Sequence, residues 1–187
     1  MNSFSTLFII SCFIVLFSFW IITAFSTKKT TYKAGGWILR LIFYGVIILV
    51  IYLQNSVSFF SISLWPNSFI IEIIADVVTV VGLFIMLWAR VVLGRNWSAN
   101  IVLKENHSLI TNGPYAYVRH PIYSGLILMV LGVTLYVNTI ILAVFFVSFF
   151  FGAYYKARKE EKILITIFPD TYSEYKLNVK TLIPFIF

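Results

Sequence analysis

Long apolar runs alternate along this chain with short polar, basic or turn-forming stretches, and run length decides what each can be. Residues 4–25 are almost wholly apolar. At ~1.5 Å of helical rise per residue they cross the ~30 Å hydrocarbon layer of a bilayer. Lys28, Lys29, Lys33 and Arg40 follow, and Gly35-Gly36 with Trp37 marks a turn and the start of a second run, about 37–54. Residues 55–67 are uncharged and carry Asn55, Ser56, Ser58, Ser61, Ser63 and Pro66-Asn67, which reads as a loop. A third run, 68–93, has Glu72 and Asp76 near its start and Arg90 near its end. The two acids are spaced to share a helix face, either at the outer interface or as a buried proton or ion site. Residues 121–155 again lack Lys and Arg. They would make ~50 Å of helix, too long for one crossing. Tyr136-Val137-Asn138 is the break, so the pattern predicts a tight hairpin of helices, 121–135 and 139–158, the second running on into Lys156–Lys162.

The tail, 159–187, is amphipathic. Ile163, Leu164, Ile167 and Phe168 recur at helical spacing, Pro169-Asp170 breaks that helix, and Tyr172, Tyr175 and Val179 predict a second short helix on the membrane surface. Ile183-Pro184 ends it.

Composition agrees with this pattern. The 187 residues are 60% hydrophobic and only 11% charged, far from a soluble domain. The expected fold is an all-α integral membrane protein of about five transmembrane helices, two of them the hairpin. One membrane domain is expected over 1–187, with three spans in 1–93 and a catalytic half in 94–187. The net charge of +7 does not imply nucleic acid. The basic residues flank apolar runs and form no single stripe, as expected of topology signals and contacts with membrane lipids. The windows 1–27, 41–89 and 120–155 contain no Lys or Arg. With a hairpin in each of the last two, every basic residue falls on one side. The positive-inside rule then places the N-terminus outside and the C-terminus in the cytoplasm. The first run lacks a basic leader and is too long for a signal peptide, so it reads as a retained helix. The single cysteine, Cys12, permits no intrachain disulfide.

Chemistry concentrates in two stretches on that cytoplasmic side. One is the polar passage His107–Gly125, with both histidines, Tyr115, Tyr117, Arg119, His120 and Tyr123. The other is Lys156, Arg158, Glu160 and Glu161. Both abut the ends of the hairpin helices, so they should meet in one site. Imidazoles, tyrosines and carboxylates together suit a small zwitterionic or cationic ligand. Each residue also has a plainer reading. His120 could cap the helix that Pro121 starts, Arg119 could hold lipid phosphate, the tyrosines could be interfacial aromatics, and 156–162 a solvated helix face. Two histidines thirteen residues apart with no cysteine partner do not make a metal site, and no phosphate or dinucleotide glycine motif is present.

The pattern His107–Gly125 (H-x-L-I-x-x-G-x-Y-x-x-x-R-H-P-x-Y-x-G), then a helical hairpin, Glu160-Glu161-Lys162-Ile163-Leu164, Phe168–Tyr175 and Ile183-Pro184, resembles the isoprenylcysteine carboxyl methyltransferase family. The resemblance covers roughly 94–187. It implies a membrane-embedded methyltransferase using S-adenosyl-L-methionine, with the cofactor enclosed on the cytoplasmic side by loop and tail and a lipophilic or lipid-anchored substrate arriving from the bilayer. Carried over by position, His107, Ser108, Leu109, Ile110, Tyr115, His120, Pro121, Ile122, Tyr123, Glu160 and Glu161 are the cofactor contacts. Arg119, Lys156 and Arg158 are the residues at the reacting groups. The family's Arg four residues before the first glutamate is Lys156 here, with Arg158 two residues on, and Pro169 stands where the family has Gly. A lysine offers a point charge where arginine offers a planar fork.

The implied reaction is an in-line displacement governed by positioning and desolvation. A carboxylate acceptor such as a prenylcysteine needs no base at neutral pH. A phospholipid amine or a lipophilic hydroxyl are the alternatives within the class. Two other classes compete: an NADPH-dependent sterol-type reductase, against which Ile122 and the Glu160-Glu161 pair speak, and a membrane scaffold or transporter built on Glu72 and Asp76.

Overall fold

The structure, a computed structural model, describes residues 3–24, 45, 48–50, 52–53, 55–94 and 109–186. Five helices are described from end to end: α1 (Ser3–Ala24), α2 (Phe69–Leu93), α3 (Pro121–Val137), α4 (Ile140–Ile167) and α5 (Pro169–Asn178). Single 3₁₀ turns lie at Ser58–Ser61 and Gly113–Ala116. α1, α2 and α4 are long and apolar enough to cross a membrane. α3, at 17 residues, is at the short end of the membrane-spanning range. Most of the expected second span, 37–54, lies outside the described residues. Ile14, Phe17, Phe84, Val91, Val147 and Phe151 remain exposed on the helix surfaces, as lipid-facing positions must be. The chain is an all-helical membrane protein.

Packing fixes the directions of the helices. At one end of the bundle Ser5 Oγ donates to Asp76 Oδ2 at 2.9 Å; at the other, Arg90 Nη2 donates to the Thr23 carbonyl at 2.9 Å. α1 and α2 therefore run parallel. α2 and α3 run antiparallel along a seam of glycines. A Cβ on Gly82 would stand 2.5 Å from the Gly125 carbonyl oxygen, one on Gly125 equally close to that of Gly82, and one on Gly132 2.8 Å from that of Ala75. Small residues let backbones touch where lipid offers no hydrophobic drive. Cys12, Leu16, Met86 and Met129 join α1, α2 and α3 in one core cluster, and Ile9, Ala75 and Tyr136 in a second.

The hairpin turn falls where the sequence predicts it. α3 ends at Val137, and Asn138 takes the left-handed conformation (φ 56°) as its C-cap, a role asparagine tolerates. Its side chain reaches the preceding loop: Oδ1 accepts from Leu64 N (3.1 Å) and Trp65 N (3.2 Å), and Nδ2 donates to the Trp65 carbonyl (2.5 Å). α4 continues through the charged run to Ile167 and takes in Ile163 and Leu164. Pro169, at the first position of α5, breaks the helix as expected.

The expected surface helix needs correction. Tyr172 is 1% exposed, and the Tyr175 hydroxyl donates to the Tyr115 carbonyl. The aromatic face of α5 thus lies against the chain's own loop and not against lipid headgroups. Val179 is already extended beyond the helix. A tyrosine stripe suits a wet membrane interface and a polar protein interface alike, so spacing could not separate them. Glu72 and Asp76 lie at the end of the bundle away from the loop.

Candidate active site

Short-range signals place each part of the site. Gly113, with φ 60°, turns the chain into the 3₁₀ turn, where Tyr115 is buried and its hydroxyl approaches the Ala89 carbonyl at 3.5 Å. Val118 then pairs with Lys180 in a short parallel bridge. Arg119 N donates to the Lys180 carbonyl (2.8 Å) and His120 N to the Thr181 carbonyl (3.1 Å). Pro121 starts α3, and the His120 side chain makes no capping bond. The tail therefore lies along the loop just before the helix begins.

Arg119 is the clamp between them. Its Nε donates to Glu161 Oε1 (2.9 Å), Nη1 to the carbonyls of Lys176 (3.2 Å) and Val179, and Nη2 to Thr181 Oγ1 (2.8 Å), with Nη2 also ion-paired to Glu161 Oε1 at 2.7 Å. All three nitrogens of the guanidinium are thereby engaged by the protein's own acceptors. The expectation of Arg119 at the reacting groups changes accordingly: it is buried, its nitrogens are engaged within the protein, and it holds loop, tail and α4 together. The plainer reading of Arg119 as a lipid-phosphate ligand meets the same objection.

Glu161 is the hub. It is 1% exposed, and besides Arg119 it accepts from Arg158 Nη1 at 3.0 Å. Its Oε1 lies 3.6 Å from His120 Nε2, a buried nitrogen with no hydrogen-bond partner among the described residues. Glu160 is more open, its side chain 24% exposed. It accepts from the Tyr123 hydroxyl at 2.5 Å and lies 3.5 Å from His120 Nδ1. The His120 and Tyr123 rings stack with centroids 5.7 Å apart, and the exposed Lys156 ammonium sits 5.3 Å over the Tyr123 ring. Burial alone would push the His120 imidazole down, but the carboxylates of Glu160 and Glu161 outweigh it and its pKa is raised. Burial pushes the phenols of Tyr115, Tyr172 and Tyr175 up, so all three stay protonated.

Of the residues expected at the site, the structure brings together Arg119, His120, Tyr123, Lys156, Arg158, Glu160 and Glu161, with Tyr115 beside them under α5. It does not bring Ile122 to the acids: that side chain packs on the cluster of Cys12, Leu16, Met86 and Met129, the flank facing α1 and α2. A helix turns ~100° per residue, so neighbours of Tyr123 cannot share its face. Pro121 is fully buried at the helix start. Leu109 and Ile110 are half-buried in the approach to the turn, and His107 and Ser108 lie outside the described residues. Sequence reasoning missed Thr181 and Ser124. Ser124 Oγ donates to the Leu182 carbonyl at 2.6 Å, and Thr181 is an Arg119 partner. The signal was faint: Thr181 is a lone hydroxyl ahead of the apolar end of the tail.

Chemically, the cluster offers an open carboxylate (Glu160), a buried imidazole nitrogen in need of a partner, an aromatic face and a rim ammonium. Comparisons with known proteins agree in kind. A family profile described as the isoprenylcysteine carboxyl methyltransferase (ICMT) family matches residues 73–166. The protein-S-isoprenylcysteine O-methyltransferase of Schizosaccharomyces pombe is 33% identical over 111 residues, 56% of this chain and 46% of that protein. The human protein of the same name is 35% identical over 83 residues, 44% of this chain and 29% of that protein. The chain thus spans less than half the length of these curated relatives. The structure of the eukaryotic intramembrane Ras methyltransferase ICMT (isoprenylcysteine carboxyl methyltransferase), solved without a monobody, shares the fold, with a TM-score of 0.55 at 18% identity over 82% of this chain and 55% of that one.

Proposed function

Since this chain belongs to the isoprenylcysteine carboxyl methyltransferase family, whose profile covers half of it, we propose that it methylates a lipophilic carboxylate of the prenylcysteine type with S-adenosylmethionine as donor. The observation that carries this reading is the joining of Glu160, His120 and Tyr123 into one polar cluster at the ends of α3 and α4. The donor set fits the cofactor: an open carboxylate and an aromatic face suit its cationic groups, and an unpartnered buried imidazole nitrogen suits a polar ligand atom. When bound, S-adenosylmethionine supplies an activated methyl group.

The chain's own residues then divide the work. Glu160 opposes positive charge at the cluster, and Tyr123 holds its carboxylate in place through the 2.5 Å bond. His120 and Tyr115 complete the cluster, with Leu109 and Ile110 on the approach. His107 and Ser108 are assigned to the same cluster by the family pattern. Lys156, exposed on the membrane side of the acid pair, attracts an anionic acceptor. Arg158, whose Nη1 bonds Glu161 while its side chain stays 44% exposed, adds a second positive edge. Arg119 and Glu161 are positioning residues, joining the tail to α4. A carboxylate acceptor is already ionised, so the site needs no base, only alignment and exclusion of water. The distribution of Lys and Arg supports a cytoplasmic site with the N-terminus outside and one membrane domain over 1–187.

The test is transfer of an isotope-labelled methyl group in nanodiscs. A free S-prenylcysteine carboxylate is expected to take up base-labile label, and neither its amide nor a phospholipid amine should. Label on the phospholipid amine would move the acceptor class. Absence of transfer together with saturable NADPH binding would replace the reading with a reductase.

A further inference from the structure

We propose that residues 182–186 re-enter the bilayer and anchor the tail in its hydrocarbon edge, with Ile183, Phe185 and Ile186 as the lipid contacts. The depth of the segment comes from Leu182. It is 2% exposed and forms a core cluster with Ile127 and Ala153, with Phe146, Phe149 and Phe150 around it. Ile127 lies six residues inside α3 from Pro121, ~9 Å of rise. Ala153 lies three residues before Lys156, ~4.5 Å inward by the same measure. Arg119, His120, Lys156 and Arg158 mark the polar boundary on both helices. The tail thus leaves the membrane at the end of α4, forms α5 outside it, and returns past that boundary.

The residues that follow are built for such a place. Ile183, Phe185 and Ile186 are 39%, 90% and 74% exposed, an apolar run that water would oppose and hydrocarbon would accept. Phe185 adopts φ 66°, a left-handed conformation that large side chains rarely take, and no described residue covers it. The backbone at the start of the segment is met within the protein. The Thr181 carbonyl accepts from His120 N, the Leu182 carbonyl from Ser124 Oγ, Ile186 N donates to the Ile183 carbonyl, and Pro184 has no N–H to satisfy. Irregular backbone cannot stand bare in the hydrocarbon core, so the segment lies at its edge, with the Pro184 and Phe185 carbonyls toward the headgroups. Lys180, exposed just before the segment, can keep its ammonium among the headgroups. The strand that supplies Arg119 with acceptors is therefore held on one side by α4 and on the other by lipid.

The experiment uses the full chain in nanodiscs, with Cys12→Ser removing the native thiol. Phe185→Cys carries an environment-sensitive NBD fluorophore, and Asn178→Cys, at the exposed end of α5, serves as control. The label at 185 should emit at shorter wavelength, be quenched several-fold more by lipids spin-labelled on the acyl chain than the control, and resist iodide. Water-like emission with iodide quenching equal to the control overturns the proposal. So does shorter-wavelength emission without lipid quenching, which would put a protein surface, such as a second copy of this chain, over the segment. If Phe185→Cys does not fold, Ile186→Cys at the neighbouring position gives the same reading.

Discussion

Both ends of this helical bundle fasten a loop to the hairpin, and they do so with different chemistry. At the turn, Asn138 uses a neutral amide to hold Leu64 and Trp65, with both amide atoms engaged. At the other end, Arg119, Arg158, Glu160, Glu161 and His120 use charge, and one buried nitrogen is left without a partner. A neutral clip is complete in itself and serves only the fold. A charged network in a low-dielectric setting is costly to bury and is tolerated when it is paired.

Four substitutions or conditions would break or sharpen that contrast. Glu161→Ala should have the largest effect, because it strands the buried Arg119 guanidinium. A loss of about 3–5 kcal/mol is expected, read as a collapse of the unfolding temperature together with loss of S-adenosylmethionine binding. Asn138→Ala removes three hydrogen bonds and puts alanine in a left-handed turn. It should cost about 2–3 kcal/mol while leaving cofactor affinity per folded molecule unchanged; a change in affinity would show that the two ends are coupled. Glu160→Gln should do the reverse, with unfolding within about 0.5 kcal/mol of the parent and calorimetric affinity for S-adenosylmethionine reduced about tenfold. The smallest effect is on pH dependence. The folded pKa of His120 is raised above its ordinary 6.5. Its ion pairs therefore stabilise fully below 6.5 and are lost as pH rises through the raised value. Thermal unfolding followed from about pH 6 to about pH 9 should fall, and His120→Gln should flatten that slope.

Much of this contrast is legible in the sequence, for physical reasons. The gap in Lys and Arg over 120–155 is longer than one crossing, so a hairpin follows from length alone. The hairpin then obliges residues 119–123 and 156–161 to meet. Asn138 is legible as a break because it is the polar residue in that gap able to take a left-handed turn. The destinations of Arg119 are not legible: its partners lie 42–62 residues away, and a guanidinium in a loop suits a ligand, a lipid or a carbonyl cage equally well. Neither is the inward face of α5, nor the burial of Ile122, since both depend on which surface a helix is pressed against. The Gly82, Gly125 and Gly132 seam also escapes the sequence, because a glycine in a membrane helix announces a close approach only once its neighbour is known.

That seam limits the traffic of long-chain molecules through the protein. A hydrocarbon tail needs a slot of about 4 Å to slide between two surfaces. Where α2 meets α3, even one added carbon would stand 2.5 Å from a backbone oxygen. This side of the bundle is sealed to an acyl or prenyl chain, and widening it would mean parting two backbones. Any route from the bilayer to the polar cluster therefore runs along another flank, and it is three residues without side chains that close this one.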